Sequence, residues 1–266
     1  MMDCKVASVP LPHNLSHLPP CSPNACPDIP DSDITVAYQR LVGSLTYLAV
    51  CTRPDLAFAA MALGQFNASP TRAHLVVAKG VLRYLAGTIH LGLMFSTRNK
   101  HLPESVQVHA SACGLSDADW ASDEQDRKSV SGYCFYFHNS LISWSARKQR
   151  TVSTSSTESE YYALANTVKE ALWIKLFLHL THLYDAPSLP LLCDNQSARS
   201  IASTDSISSR TKHIDVRHHF IREHVSNGSF PLHWVPTSDM VADIFTKSLP
   251  TVLFLRHRDN LGLLPA

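Results

Sequence analysis

Hydrophobic periodicity changes once along this chain, and that change limits the architectures open to it. Between Ile34 and Thr88 apolar residues recur at helical spacing: Val36, Leu41, Leu45 and Leu48, then Leu56, Ala59, Ala60 and Leu63, then Leu75, Ala78, Val81, Leu82 and Leu85. The pattern predicts three helices, each burying one face. Pro54, after Thr52 and Arg53, suits a first helical turn; Ser69-Pro70-Thr71 opens the third helix and Gly87 offers its stop. Beyond about residue 107 the period falls to two. Residues 107–118, 130–138 and 140–146 alternate apolar and polar side chains between short polar turns, which predicts three successive antiparallel strands.

A long helix follows. Ser155-Ser156-Thr157-Glu158 fits a capping box, and Leu164, Val168, Ala171 and Leu172 form a face that covers a sheet. Next come a strand from Leu189 to Cys193, a helical Gln196 to Ala202, a helix at about 213–226, a strand from Phe230 to Val235 and a last helix from Asp239 to Ser248. The order β-β-β-α-β-α-β-α predicts an α/β domain with a mixed sheet and helices on its faces, preceded by a small helical unit. The expected division is a flexible leader at 1–33, a helical unit at 34–88, a junction at 89–107 and the α/β domain at 108–262.

Composition narrows the function classes. With 266 residues, 45% of them hydrophobic, the chain can bury one large core or two modest ones. Its 23 Lys and Arg nearly balance 22 Asp and Glu, so the net charge of +1 exerts no global pull on nucleic acid or membrane, and any basic site is local. No apolar run approaches the roughly 18 residues of a membrane span, and the first residues lack a signal-peptide pattern. A soluble, intracellular, cytoplasmic chain is expected. Seven cysteines, an odd number, sit in apolar contexts such as those of Cys51 and Cys193, as reduced core thiols would. His13, His17, Cys21 and Cys26 have spacings a zinc ion could use, but prolines crowd them and a disordered tail accounts for them better.

Four acids fall at informative places in this frame. Asp117 closes the first strand, Glu160 lies one turn into the long helix, Asp194 ends the fourth strand and Asp243 lies in the last helix. Packed carboxylates raise one another's pKa unless a divalent cation neutralises them, and an all-oxygen donor set selects magnesium or manganese over zinc. Glu158 and Glu160 differ by roughly 200° around a helix, so only one can face the sheet. Glu160 is in phase with Leu164 and Val168, which leaves Glu158 as the capping acid. Asp117 and Asp119 share a strand face, and parity does not separate them. Asp239, at the start of the last predicted helix, reads as a dipole-stabilising acid. Arg127, Lys128, Arg147, Lys148 and Arg150 fall in or beside the turns of the first hairpins and are candidate phosphate contacts.

Seven segments, in order, complete the reading: YQRLVGSLTYLAVCTRPDLAFA, VLRYLAGTIHLGLMF, SDADWASDEQDRKSVSGYCF, ISWSARKQRTVSTSSTESEYYALA, CDNQSARSIA, RTKHIDVRHHFIREHV and ADIFTKSLP. Together they resemble the C-terminal end of copia-type (Ty1/copia) retrotransposon Pol polyproteins over about residues 36–262. The resemblance implies a ribonuclease H-like domain preceded by the helical, thumb- or connection-like tail of a reverse transcriptase. The family's catalytic and metal-binding acids then fall on Asp117 in SDADW, Glu160 in TESEY, Asp194 in CDNQS and Asp243 in ADIFTK, which separates Asp117 from Asp119.

The implied activity is hydrolysis of the RNA strand of an RNA–DNA hybrid with two Mg2+ (or Mn2+) ions. Asp117 would bridge both, Glu160 and Asp194 would hold one, and Asp243 the other. Implied partners are the hybrid and upstream reverse transcriptase domains, with a virus-like particle as the setting for an active element and no membrane. The polymerase's paired aspartates are missing, so template copying is not expected. His233 runs almost directly into the last helix, which argues against a dedicated His helper, while His213, His218, His219 and His224 read as packing and phosphate-facing groups. The alternative is a catalytically inactive or domesticated fragment that binds hybrids without cleaving them. An integrase-like nuclease is weaker, because the KHIDV and ADIFTK contexts argue against it.

Overall fold

The computed structural model describes residues 5–12, 32–96, 101–109, 111–183, 188–196 and 215–265. Its contacts divide the chain into residues 1–94 with 247–266, and residues 95–246. Residues 247–262, assigned from sequence to the α/β domain, are thus grouped with the helical unit. The cluster of His13, His17, Cys21 and Cys26 lies outside the described residues, as does most of the helix expected at 196–202. No described helix is long and apolar enough to cross a membrane.

The first unit contains α1 (Ser32–Cys51), a 3-10 turn at Pro54–Leu56, α2 (Ala57–Gly64) and α3 (Arg72–Gly87). Pro54 sits in the first turn of its 3-10 segment, and α3 starts and stops where Thr71 and Gly87 predict. Thr71 Oγ1 accepts the His74 main-chain N–H while the Thr71 N–H donates to His74 Nδ1. The face of α1 is rotated from expectation. Tyr38, Val42, Leu45 and Ala49 are buried, whereas Val36 is exposed. Tyr38 enters the core because its hydroxyl donates to the Leu63 carbonyl (2.8 Å), which satisfies the one polar atom on the ring. The same rotation leaves Cys51 exposed, against the expectation of a core thiol; Cys113, Cys134 and Cys193 are buried, and burial pushes the Cys113 thiol up to about 12.

A buried polar network closes this unit. The Arg53 guanidinium donates to both oxygens of Asp55 and to Thr88, and Tyr84 donates to Asp55 Oδ2 (2.6 Å). Charge-assisted bonds of this kind let Arg53 and Asp55 be buried at all. Part of the expected leader is attached: the Ala7 N–H bonds to the Arg83 carbonyl and Leu11 is buried. The short β1 (Leu91–Leu93) pairs antiparallel with the last strand of the chain, β7 (Leu263–Pro265), which follows α7 (Thr251–Asn260).

The second unit carries the predicted alternation. After the short helix α4 (Glu104–Gln107), where strand was expected to begin, come β2 (Ala112–Asp119), β3 (Val130–Phe137) and β4 (Ser140–Lys148). They form an antiparallel meander. The β3–β4 turn is two residues, His138 and Asn139, both at positive φ, as a tight hairpin requires. Then follow α5 (Ser156–Leu180), β5 (Leu191–Cys193), α6 (Asp215–Ser226) and β6 (Leu232–Trp234). The strand order is β4-β3-β2-β5-β6, with β5 parallel to both β2 and β6. This is the mixed five-stranded sheet of a ribonuclease H-like fold. On one face Leu164, Val168 and Ala171 of α5 pack with Phe135, Leu191, Ile221 and Phe230 into a single core.

The last expected helix differs. Residues 239–248 hold no α-helix; 3-10 turns at Thr237–Asp239 and Val241–Phe245 are separated by Met240, whose ψ of 87° cannot continue a helix. The second turn lies on β3 at Gly132, where an added Cβ would stand 2.8 Å from Phe245 Cβ and 3.1 Å from the Ala242 carbonyl oxygen. Backbone cannot yield as a flexible side-chain tip does, so Gly132→Ala should destabilise the protein by about 1–3 kcal/mol. At Gly43, in α1, an added Cβ would meet nothing within 4 Å, and Gly43→Ala should stabilise by about 0.5–1 kcal/mol. Urea midpoints of the two variants should move in opposite directions.

Candidate metal centre

Parallel pairing brings two of the acids together. Gly114 is level with Leu191 and Leu115 with Leu192; continuing that register sets Asp117 level with Asp194 across neighbouring strands, whose spacing is roughly 4.8 Å. Asp117 is buried near the end of β2 and Asp194 is half-buried just past β5. The third acid arrives from α5. Thr167 Oγ1 donates to Ser116 Oγ (2.9 Å), seating the helix on β2, and the first turns of α5 bring Glu160 to the strand ends. One carboxylate oxygen from each of Asp117, Glu160 and Asp194 lies within 4.8 Å of the others.

The neighbouring carboxyls divide as the helix phase requires. Ser155 Oγ accepts the Glu158 N–H (3.1 Å), and the Glu158 carboxylate receives the Thr154 N–H (2.6 Å) and hydroxyl (2.8 Å). Glu158 is therefore a cap. Its carboxylate reaches one residue beyond the Ser155 that a capping box would engage, because Thr154 offers two donors. Asp119 is the last residue of β2 and is outside the three-acid group. Asp239 lies in a 3-10 turn, not at the start of an α-helix, and accepts the Ser105 hydroxyl (2.8 Å).

Asp243 is buried in the 3-10 turn against β3, and it is not in the group of three. Its segment nonetheless meets the site. Thr246 Oγ1 is hydrogen-bonded to Asp117 Oδ2 and lies 3.2 Å from the Asp243 carbonyl oxygen. On the other side, the Thr237 hydroxyl donates to Asp194 Oδ2 (2.8 Å) and the Trp234 indole N–H to the Asp194 carbonyl (3.2 Å). Sequence reasoning misses these supports. Nothing about a lone Thr or Trp signals a bond to a residue some 40 positions away or more, although both threonines lie in segments that also carry acids.

The five candidate basic residues fall into two groups. Lys148 Nζ lies 2.5 Å from Asp123 and 3.0 Å from Asp126, and Lys128 Nζ lies 3.1 Å from Asp126. Against partial burial, which raises it, hydrogen bonds from Lys148 and Lys128 hold the Asp126 carboxyl below its ordinary value. These lysines tie down the β2–β3 loop. Arg127, Arg147 and Arg150 are exposed. Of the histidines, His233 lies on β6 with its ring 4.3 Å from that of His109, whose pKa is lowered by burial and by His233. His224 packs against Phe220 and Phe230. His213 lies outside the described residues.

An all-carboxylate donor set of this size fits a hard divalent cation such as Mg2+ or Mn2+. A five-stranded sheet in this order, with clustered acids at the end of its parallel pair, defines a ribonuclease H-like domain and supports a nuclease-type function. No protein-family model matches the chain. It is 40% identical over 227 residues to the Retrovirus-related Pol polyprotein from transposon RE1 of Arabidopsis thaliana, covering 85% of this chain and 15% of that one. Identity to the corresponding polyprotein from transposon TNT 1-94 of Nicotiana tabacum is 36% over 266 residues, covering 99% and 19%. Secreted RxLR effector protein 161 of Plasmopara viticola is 45% identical over 139 residues, 52% of this chain and 92% of the effector. Among solved structures, RNase H1 from Halobacterium salinarum NRC-1 is similar with a TM-score of 0.39 and 13% identity, over 51% of this chain and 93% of that one. The chain is homologous to the Pol polyproteins of copia/Ty1-type retrotransposons, and it spans less than a fifth of the length of the two Pol relatives.

Glu160 and Glu158 should separate experimentally. In chelator, Glu160→Gln should melt at or above the wild-type temperature, because it removes one of three mutually repelling charges. Added Mn2+ should raise the melting temperature of the wild type and not of this variant. Glu158→Ala should lose about 0.3–1.5 kcal/mol of stability with the loss of its cap, yet keep the Mn2+ response.

Proposed function

We propose that residues 95–246 form a metal-dependent endonuclease that hydrolyses the RNA strand of an RNA–DNA hybrid, as the ribonuclease H part of a retrotransposon Pol polyprotein. The observation that carries this reading is the meeting of Asp117, Glu160 and Asp194 within 4.8 Å, supplied by three different elements. A stable fold gains nothing from three adjacent carboxylates by themselves; cation binding gives the arrangement a use. Two bound divalent ions would supply an activated water and stabilise the departing 3′-oxygen of an in-line displacement at phosphorus.

The chain's own residues have distinct parts. Asp117, Glu160 and Asp194 are the ligand set, with Asp117 central because it is more deeply buried than Asp194 on the neighbouring strand. Asp243, on the segment whose Thr246 bonds to Asp117, completes the set of acids. Thr246 bonds one oxygen of Asp117 and Thr237 one oxygen of Asp194, which orients both carboxylates. Arg127, Arg147 and Arg150 contact phosphates, while Lys128 and Lys148 shape the loop that presents Arg127. The similarity to retrotransposon Pol polyproteins supports this substrate class: a hybrid would be recognised by shape, phosphates and 2′-hydroxyls, which needs no base-reading helix.

Asp194→Asn preserves size and removes one ligand charge. Cleavage of a labelled hybrid in Mg2+ should fall by more than about 100-fold, beyond what loss of a supporting partner costs, while hybrid binding in chelator is unchanged or tighter. Asp239→Asn, which alters the bond to Ser105 and no ligand, should be nearly silent. Wild-type binding of the hybrid with no Mg2+-dependent cleavage would establish the alternative of an inactive hybrid-binding fragment.

A further inference from the structure

One buried side chain between β4 and α5 bonds to residues that neighbour the acids in sequence and across the sheet. Gln149 is 3% exposed and immediately follows the last residue of β4. Its amide nitrogen donates to Ser131 Oγ (2.8 Å) and to the Ser159 carbonyl (2.9 Å), and its amide oxygen accepts the Ser153 hydroxyl (3.0 Å). Its main-chain N–H donates to the Ser129 carbonyl (2.8 Å). Both amide hydrogens and the amide oxygen are thereby used inside the protein, the condition under which a buried polar network rigidifies its surroundings.

The end points of this network matter. Ser131 pairs across the sheet with Ala118, the neighbour of Asp117. The Ser159 carbonyl belongs to the peptide group whose nitrogen is that of Glu160. A single amide therefore spans from the strand flanking one acid to the backbone carrying another. The helix does not need this bond for itself, because carbonyls of its first turns already accept from residues four positions on. Mutual repulsion of the three carboxylates pushes Glu160 outward, and the first turn of a helix is where fraying is easiest. A tether at the Ser159–Glu160 peptide opposes both.

We propose that Gln149 is a positioning residue for the metal centre: it holds the first turn of α5 against β3 so that the Glu160 carboxylate meets those of Asp117 and Asp194, and thereby sets divalent-cation affinity. The inference rests on the reading of these acids as metal ligands.

The test is Mn2+ binding, followed by the electron paramagnetic resonance of free Mn2+, in the wild-type protein, Gln149→Met, Ser131→Ala and Glu160→Gln, with melting temperatures in chelator. Gln149→Met keeps the volume and loses every amide bond; Mn2+ binding should weaken about tenfold, the low end for loss of a ligand's supporting partner. Ser131→Ala should weaken it less, in the same direction, and decides the matter if Gln149→Met does not fold. Excess Mn2+ should restore hybrid cleavage by both variants. If the variants melt earlier yet bind Mn2+ within about twofold of wild type, Gln149 is only a loop anchor and the proposal falls. If wild-type protein binds Mn2+ with the expected dependence on Glu160 and Gln149 but leaves the hybrid uncut, the nuclease reading falls and this inference stands. A wild-type protein that binds no Mn2+ overturns both.

Discussion

The parallel pairing of β2 with β5 is the constraint on which the site depends. It is short, joining Gly114 to Leu191 and Leu115 to Leu192, and an added Cβ at Gly114 would overlap the Phe135 ring and stand 2.9 Å from the Leu191 side chain. A side chain there would displace the core side chains of Phe135 and Leu191 that pack over strands whose register sets Asp117 beside Asp194. Because side chains alternate along a strand, a slip of one residue would send Asp117 to the face covered by α5 and Ser116 to the face it leaves. The Ser116–Thr167 bond and the contact of Asp117 with Thr246 lock opposite faces of the same strand, so each excludes that slip.

Electrostatics explains why so much polar structure surrounds so small a site. Three carboxylates within 4.8 Å repel, and the protein holds them in place with hydrogen bonds from several elements. Asp117 is bonded to Thr246, Asp194 is held by Thr237 and through its carbonyl by Trp234, and the peptide of Glu160 is held by Gln149. Such supports fix geometry without adding positive charge. The two lysines of the first hairpins are engaged elsewhere. Lys128 and Lys148 pair with Asp123 and Asp126, so their positive charge organises a loop instead of quenching the acids.

Local patterns make much of this legible. Alternation marks the three meander strands, because one face of each is buried; capping chemistry marks the start of α5; and helix phase separates Glu160 from Glu158, because residues two apart cannot share a face. Expectation fails where a polar group finds a distant partner. Tyr38 and Tyr84 fall outside the expected helix faces, yet both are fully buried, since Leu63 and Asp55 receive their hydroxyls. In place of an α-helix at 239–248 the structure has two 3-10 turns, since this segment is fixed by contact with Gly132 and by the break at Met240, not by its own apolar spacing.

The sequence by itself determined the three meander strands, the long helix α5 that follows them and the homology to retrotransposon Pol polyproteins. These follow from burial periodicity, capping and motif residues, all of which act over a few positions. Tertiary structure alone decided which acids meet. Strand register brings Asp117 and Asp194 level, the seating of α5 adds Glu160, and the 3-10 turn sets Asp243 outside the group of three. It also decided that Gln149, one polar residue among many in a loop, would span from β3 to the peptide of Glu160. The physical reason is that a hydrogen bond or a shared cation site depends on positions within a few ångströms, and for residues tens of positions apart only the packed fold specifies them.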